Sequence, residues 1–170
     1  MKTSNKGITL IKEFESLHDG DLKKIGLQPK MCPAGLWTEG YGRLVLDNKG
    51  NRLSGEANKD KAYHFSRIKT EAQAESALRE DLEERESMVN SLGLHFSQGQ
   101  FDALVSFVYN VGFANLKSST LLKKARKNLN DISIANEFAK WNKARVNGVL
   151  KVLPGLTRRR KAESDLYFSK

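Results

Sequence analysis

One carboxylate in this chain sits where an acid catalyst could be made. Glu15 lies in the run Gly7-Ile8-Thr9-Leu10-Ile11-Lys12-Glu13-Phe14-Glu15-Ser16-Leu17. Ile8, Leu10, Ile11, Phe14 and Leu17 recur at the spacing of an amphipathic helix. Glu15 falls four residues after Ile11 and seven after Ile8, so it shares their side, whereas Lys12 and Glu13 can point elsewhere. Apolar surface beside a carboxylate disfavours the charged form and raises the pKa. A carboxylic acid kept protonated in this way near neutral pH can serve as a general acid. Taken on the helix alone, a rim charge snorkelling to water is the simpler reading.

The elements needed to position Glu15 are readable along the chain. A first helix is expected over residues 4–17. A loop follows over 18–31, with His18-Asp19-Gly20-Asp21, Gly26 and Pro29 as turn residues. Residues 36–53 read as β-structure punctuated by Gly40, Gly42 and Gly55. Within it, Leu44-Val45-Leu46 and Arg52-Leu53 flank Asp47-Asn48-Lys49-Gly50 in a hairpin pattern. Lys59 to Phe65 fits a short helix. Thr70 with Gln73 makes a capping box that opens a helix to about Leu92. Ser97 with Gln100 makes a second one. The helix behind it carries Phe101, Ala103, Leu104, Val105, Phe107, Val108 and Val111, and belongs at the centre of a core. Ser118 or Ser119 caps a helix with Leu121, Leu122 and Ala125. Asp131 caps another, ending near Trp141. The last helix runs from Pro154-Gly155 to about Phe168. The fold class is therefore α+β and mostly helical, a single domain over 1–170. A small β-lobe occupies about 18–58, and a helical lobe about 70–170 plus the first helix. A long helix around 70–92 joins them and leaves a cleft.

Bulk properties narrow the function classes. Of 170 residues 39% are hydrophobic, enough for a real core. Cys32 is the sole cysteine, which excludes an intramolecular disulfide. No apolar run approaches the roughly 20 residues needed to span a bilayer, and the N-terminus lacks the apolar region of a signal peptide. His18, His64 and His95 have no metal-ligand spacing, and no glycine-rich phosphate loop is present. No local signature joins Cys32 to a histidine as a hydrolytic dyad. The net charge is +9, concentrated toward the C-terminus: residues 117–170 hold 14 Lys and Arg against four Asp and Glu. Such a face attracts polyanions.

A longer constellation then appears. Phe14-Glu15 is followed by Cys32-Pro33-Ala34-Gly35-Leu36-Trp37-Thr38-Glu39-Gly40-Tyr41-Gly42. Further on come Gln98-Gly99-Gln100-Phe101-Asp102-Ala103-Leu104, Tyr109-Asn110-Val111-Gly112, Ser118-Ser119-Thr120-Leu121-Leu122, Phe138-Ala139-Lys140-Trp141 and Leu153-Pro154-Gly155-Leu156-Thr157-Arg158-Arg159-Arg160 with Glu163. Together, and in this order, they resemble the phage-type lysozymes (endolysins), the glycoside hydrolase family that includes phage T4 lysozyme. The chain departs from the family pattern in two ways. Sixteen residues, Ser16 to Met31, separate Glu15 from Cys32, about twice the usual number. Glu39 and Arg43 stand where the family usually has Ile and His, putting charge beside the expected cleft.

The resemblance implies a lysozyme-like two-lobe fold and hydrolysis of the β-1,4 bond between N-acetylmuramic acid and N-acetylglucosamine in peptidoglycan. It implies Glu15 as general acid, Thr38 as holder of the attacking water, and Cys32 at the position of the second catalytic group. A neutral thiol, with a pKa near ~8.5, performs that second role poorly. Asp19, Asp21 and Glu39 are therefore competitors, and Cys32 as an inert core residue stays open. Asp19 and Asp21 fit solvated turns. Glu39 follows Thr38 in a strand, so it points to the opposite face, where a solvent-facing charge is expected. Tyr41, Leu44, Tyr109, Asn110 and Ser119 match cleft-lining positions. For Tyr41 and Tyr109 core packing is an equal reading. No metal or cofactor is implied.

The expected partner is bacterial peptidoglycan, met by a monomer without nucleic acid or stable membrane insertion. Synthesis without a signal peptide in the host cytoplasm, and release through a phage-encoded pore, follow from the resemblance. Two alternatives stay open. A lytic transglycosylase would use Glu15 alone, because the sugar's own hydroxyl attacks. A non-enzymatic polyanion-binding protein would rest on the basic C-terminal third and show steep salt dependence.

Overall fold

The computed structural model describes residues 1–146 and 148–169. They form two compact units: Glu15–Asp81, and Met1–Phe14 together with the chain from Leu82 onward. Helix α1 (Asn5–Glu15) buries Ile8 and Ile11. It starts where Ser4 N–H donates to Asp102 Oδ1 at 3.0 Å and the Ser4 hydroxyl bonds the other carboxylate oxygen. It stops at Glu15 because Ser16 takes a left-handed conformation, φ 60°, which no helix can continue.

In the smaller unit, strands β1 (Lys30–Met31), β2 (Trp37–Glu39) and β3 (Arg43–Leu44) form an antiparallel sheet in that order. Thr38 is the pivot of its register, opposite Lys30 on one side and Leu44 on the other. Cross-strand partners share a face, so Lys30, Thr38 and Leu44 lie on one side, and Glu39 and Arg43 on the other. The expected hairpin is present: Asp47 N–H donates to Asn51 O, and Leu46 bridges Arg52. The core of this unit is Trp37, Val45, Leu53 and Ala62, with Tyr63 and Phe65 packed on it. The unit therefore also takes in helix α2 (Lys59–Phe65), and reaches past the sheet into helix α3.

Helix α3 (Glu71–Asn90) opens on the expected capping box: Gln73 N–H donates to Thr70 Oγ1, and Thr70 N–H to Gln73 Oε1, both at 3.2 Å. Its residues through Asp81 belong to the smaller unit and those from Leu82 to the larger.

The larger unit is built around α4 (Gln98–Val111), in which every residue from Gln100 to Val108 is buried. The Ser97–Gln100 capping box is fully formed. Around it lie α5 (Phe113–Ser118), α6 (Thr120–Lys127), α7 (Ile134–Ala139) and α8 (Pro154–Tyr167). Phe107 of α4 meets Phe138 and Trp141 edge-on, at 5.7 and 5.5 Å between ring centroids. Ser119 caps α6 by accepting from Leu122 N–H at 3.1 Å. Asp131 does not cap α7 itself; it closes a turn before it by accepting from Ser133 N–H. The sequence reading misses the hairpin of β4 (Lys143–Val146) and β5 (Val149–Val152), whose residues are almost all exposed. Among the described residues no helix is long and apolar enough to cross a membrane.

Candidate active site

Within the smaller unit the chain leaving α1 brings His18 into hydrogen-bond contact with Thr38, and the Glu15 charge acts on the His18 ring. Past Ser16, His18 N–H donates to Gly40 O at 2.7 Å, which ties the loop to the end of β2. Gly40 is required there: its φ is 58°, and a Cβ would come within 2.9 Å of Ile68 Cδ1. With its backbone tied, His18 places Nδ1 2.7 Å from Thr38 Oγ1. Thr38 is buried, and its hydroxyl also donates to Lys30 O at 2.9 Å. Glu15 is half-buried at the end of α1, and its carboxylate acts on the His18 ring. Burial and then the Lys30 ammonium hold the imidazole below its ordinary pKa, while Glu15 pulls it upward.

The other expected carboxylates do not join this pair. Asp19 Oδ1 accepts from the N–H groups of Asp21 and Gln28, and Asp21 Oδ1 from Lys23 N–H. Both are turn residues whose oxygens organise the inserted loop. Glu39 does point away from Thr38, as strand alternation requires, but it is not solvent-facing. It is 6% exposed. Its Oε2 accepts from Ser66 Oγ at 2.9 Å, Arg67 N–H at 2.8 Å and Ile68 N–H at 3.0 Å. The carboxylate thus anchors the segment between α2 and α3. Glu39→Ala strands these donors, and is expected to lower stability by roughly 2–4 kcal/mol in denaturant unfolding. Arg43 is likewise engaged: its Nε and Nη2 grip both oxygens of Asp81, at 3.1 and 2.8 Å, and Nη2 also reaches Ala77 O. The two charges that depart from the family pattern are both held in structural bonds.

Cys32 is a half-buried free thiol. It opens a tight turn in which Gly35 N–H donates to Cys32 O and Cys32 N–H to Leu36 O, both at 2.8 Å. That turn joins β1 to β2 and so fixes the step to Thr38. Leu44 sits directly across from Thr38 and is partly accessible. Tyr41 is buried, with its hydroxyl donating to Glu71 Oε1 at 3.3 Å.

The larger unit carries the remaining expected residues. Tyr109 is half-buried, with the Arg85 guanidinium 5.7 Å from its ring centroid. Asn110 is exposed and accepts from Arg160 Nη2 at 3.1 Å. Ser119 is buried, and its hydroxyl donates to Leu116 O at 2.7 Å while capping α6. It lines a surface depression of about 430 Å³ with Trp141 and Lys140.

His18 is the residue the sequence reading misses. In the sequence it reads as a turn residue without metal-ligand spacing, and its pairing with Thr38 depends on a backbone bridge across 22 residues that no local pattern encodes.

Comparison with known proteins agrees with this architecture. Residues 21–163 match the sequence model of the family described as phage lysozyme. The chain is 39% identical to the endolysin of Acyrthosiphon pisum secondary endosymbiont phage 1 over 171 aligned positions, covering 99% of both chains. Its structure resembles an endolysin from Escherichia coli O157:H7 phage FAHEc1, with a TM-score of 0.76, 32% identity, and coverage of 99% of this chain and 94% of the other. It also resembles the muramidase domain of SpmX from Asticaccaulis excentricus, with a TM-score of 0.72, 32% identity and 99% coverage of both. The α+β fold, mostly helical with small antiparallel sheets, is the lysozyme-like one expected, and the chain belongs to the phage lysozyme family.

Proposed function

We propose that this protein lyses bacterial cell walls as a muramidase, hydrolysing the β-1,4 bond between N-acetylmuramic acid and N-acetylglucosamine. The observation that carries the reading is the hydrogen-bonded pair of His18 and Thr38 with the Glu15 charge acting on the His18 ring, in a chain of the phage lysozyme family. Glu15 is the general acid: it protonates the glycosidic oxygen as the bond breaks. Thr38 holds the water that attacks the opposite face of the sugar ring, as an inverting reaction requires. Cys32 occupies the place of the second catalytic group. Tyr41 and Leu44 in the smaller unit, and Tyr109, Asn110 and Ser119 in the larger, are the residues that meet sugar rings and N-acetyl groups; of these Leu44, Tyr109 and Asn110 are the accessible ones. The protein works as a monomer on peptidoglycan, without cofactor or nucleic acid. It reaches the wall through a phage-encoded pore.

A lytic transglycosylase is the second reading. It is favoured by one observation: Asp19, Asp21 and Glu39 are all committed to backbone donors, so none is available as a second carboxylate. The two readings differ in their product. Digestion of purified peptidoglycan, followed by mass spectrometry of the muropeptides, is expected to give reducing muramic acid ends. Anhydro ends would transfer the assignment to transglycosylase, and no cleavage at all would remove both.

A further inference from the structure

We propose that His18 is a positioning residue for the hydrolytic step: its Nδ1–H fixes the Thr38 hydroxyl as an acceptor for the attacking water. This deepens the muramidase reading and rests on it.

Thr38 Oγ1 has one proton to give and two lone pairs. Lys30 O, 2.9 Å away, is a carbonyl oxygen and can only accept, so the proton goes there. The contact with His18 Nδ1 at 2.7 Å must then be filled by the ring's own N–H. With the proton and one lone pair committed, Thr38 has a single lone pair left. It can accept from water but cannot donate to it.

That polarity matters for the chemistry. A hydroxyl free to rotate could give its proton to the water's lone pair and blunt the nucleophile. A locked acceptor takes a hydrogen bond from the water and leaves the water's lone pair for the sugar. In the step itself the water oxygen bonds to the anomeric carbon and the bond from that carbon to the leaving oxygen breaks. The leaving oxygen takes the Glu15 proton, and the proton shed by the water passes to bulk solvent. Thr38 and His18 end as they began. The charged groups acting on the ring are the Lys30 ammonium and the Glu15 carboxylate. The segment that follows Glu15 supplies His18 and ties its backbone to Gly40.

The test compares His18→Asn, whose carboxamide places an N–H where Nδ1 was, with His18→Leu, which has no donor. Both are assayed on soluble uncrosslinked peptidoglycan chains. His18→Asn is expected to keep kcat within about threefold of wild type. His18→Leu is expected to lose about 100-fold in kcat at unchanged KM, the scale of a misplaced reacting group. Nitrogen NMR of the wild-type histidines needs no variant to fold, and is expected to find His18 protonated at Nδ1 and bare at Nε2 at neutral pH. Equal loss in both variants, full kcat in His18→Leu, or the opposite tautomer would overturn the assignment. With reducing ends from the wild type in hand, those results leave the muramidase reading standing. Anhydro ends from the wild type would instead remove the attacking water, and both proposals with it.

Discussion

Glu15→Gln is expected to lower peptidoglycan cleavage by roughly 10²–10⁴-fold, the range that general acid catalysis contributes. The substitution keeps the size of the side chain and its capacity to accept a hydrogen bond, and removes only the transferable proton. Glu15 is the last residue of α1, and the turn that follows depends on the backbone of Ser16. The helix end and the turn should therefore survive the substitution, and the variant should fold. The loss should fall on kcat, since the proton is needed only as the glycosidic bond breaks. The rate of reducing-end release, measured beside a melting curve, checks both parts. A variant that stays folded and within tenfold of wild-type rate would show that another group protonates the leaving oxygen. A polyanion-binding protein would bind DNA equally well with either residue at position 15, so salt-dependent binding is a useful parallel measurement.

What the sequence made legible follows from how local each signal is. Both capping boxes, Thr70 with Gln73 and Ser97 with Gln100, lie within four residues and appear as read. The all-round apolar character of α4 likewise places it in the core without knowledge of its neighbours. Glu15 was legible for the same reason, as a carboxylate at a fixed helical offset from buried isoleucines. The misreadings involve partners far along the chain. Strand alternation correctly turned Glu39 away from Thr38. It could not show that Ser66, Arg67 and Ile68 would cover that face and bury the charge. His18 has the same problem, since its meaning depends on Thr38 and Gly40. The β4–β5 hairpin was missed although Asn147-Gly148 is a strong turn signal in the sequence. Its strands are exposed and bury no face, so the inward–outward alternation that betrays a strand is missing.

Glu163→Ala is expected to destabilise the larger unit by about 3–5 kcal/mol. Glu163 is fully buried on α8, and its Oε1 gathers three donors: Ser106 Oγ at 2.7 Å, Arg160 Nη2 at 2.9 Å and Arg159 Nε at 3.2 Å. Arg159 and Arg160 are themselves buried. Removing the carboxylate leaves two guanidinium groups in the core without their shared counter-charge, and arginine cannot shed its proton to escape. For a domain of this size the loss corresponds to roughly 6–20 °C in thermal midpoint. Glu163→Gln retains an acceptor oxygen for all three donors and should lose distinctly less. The two variants also separate charge from hydrogen bonding through pH. Burial pushes the Glu163 carboxyl above its ordinary 4.5, and Arg160 and Arg159 pull it back. A folded-state pKa above the unfolded one means that the folded chain binds the proton more tightly. Its stabilising contribution is therefore complete below about 4.5 and is lost as pH rises through the folded value. Glu163→Gln cannot ionise, so its stability should lack that decline, and the difference between wild type and variant should change with pH in this window. A wild-type profile that parallels the Gln variant throughout would mean the carboxyl titrates alike folded and unfolded. The arginine pair would then fully offset the penalty of burying it.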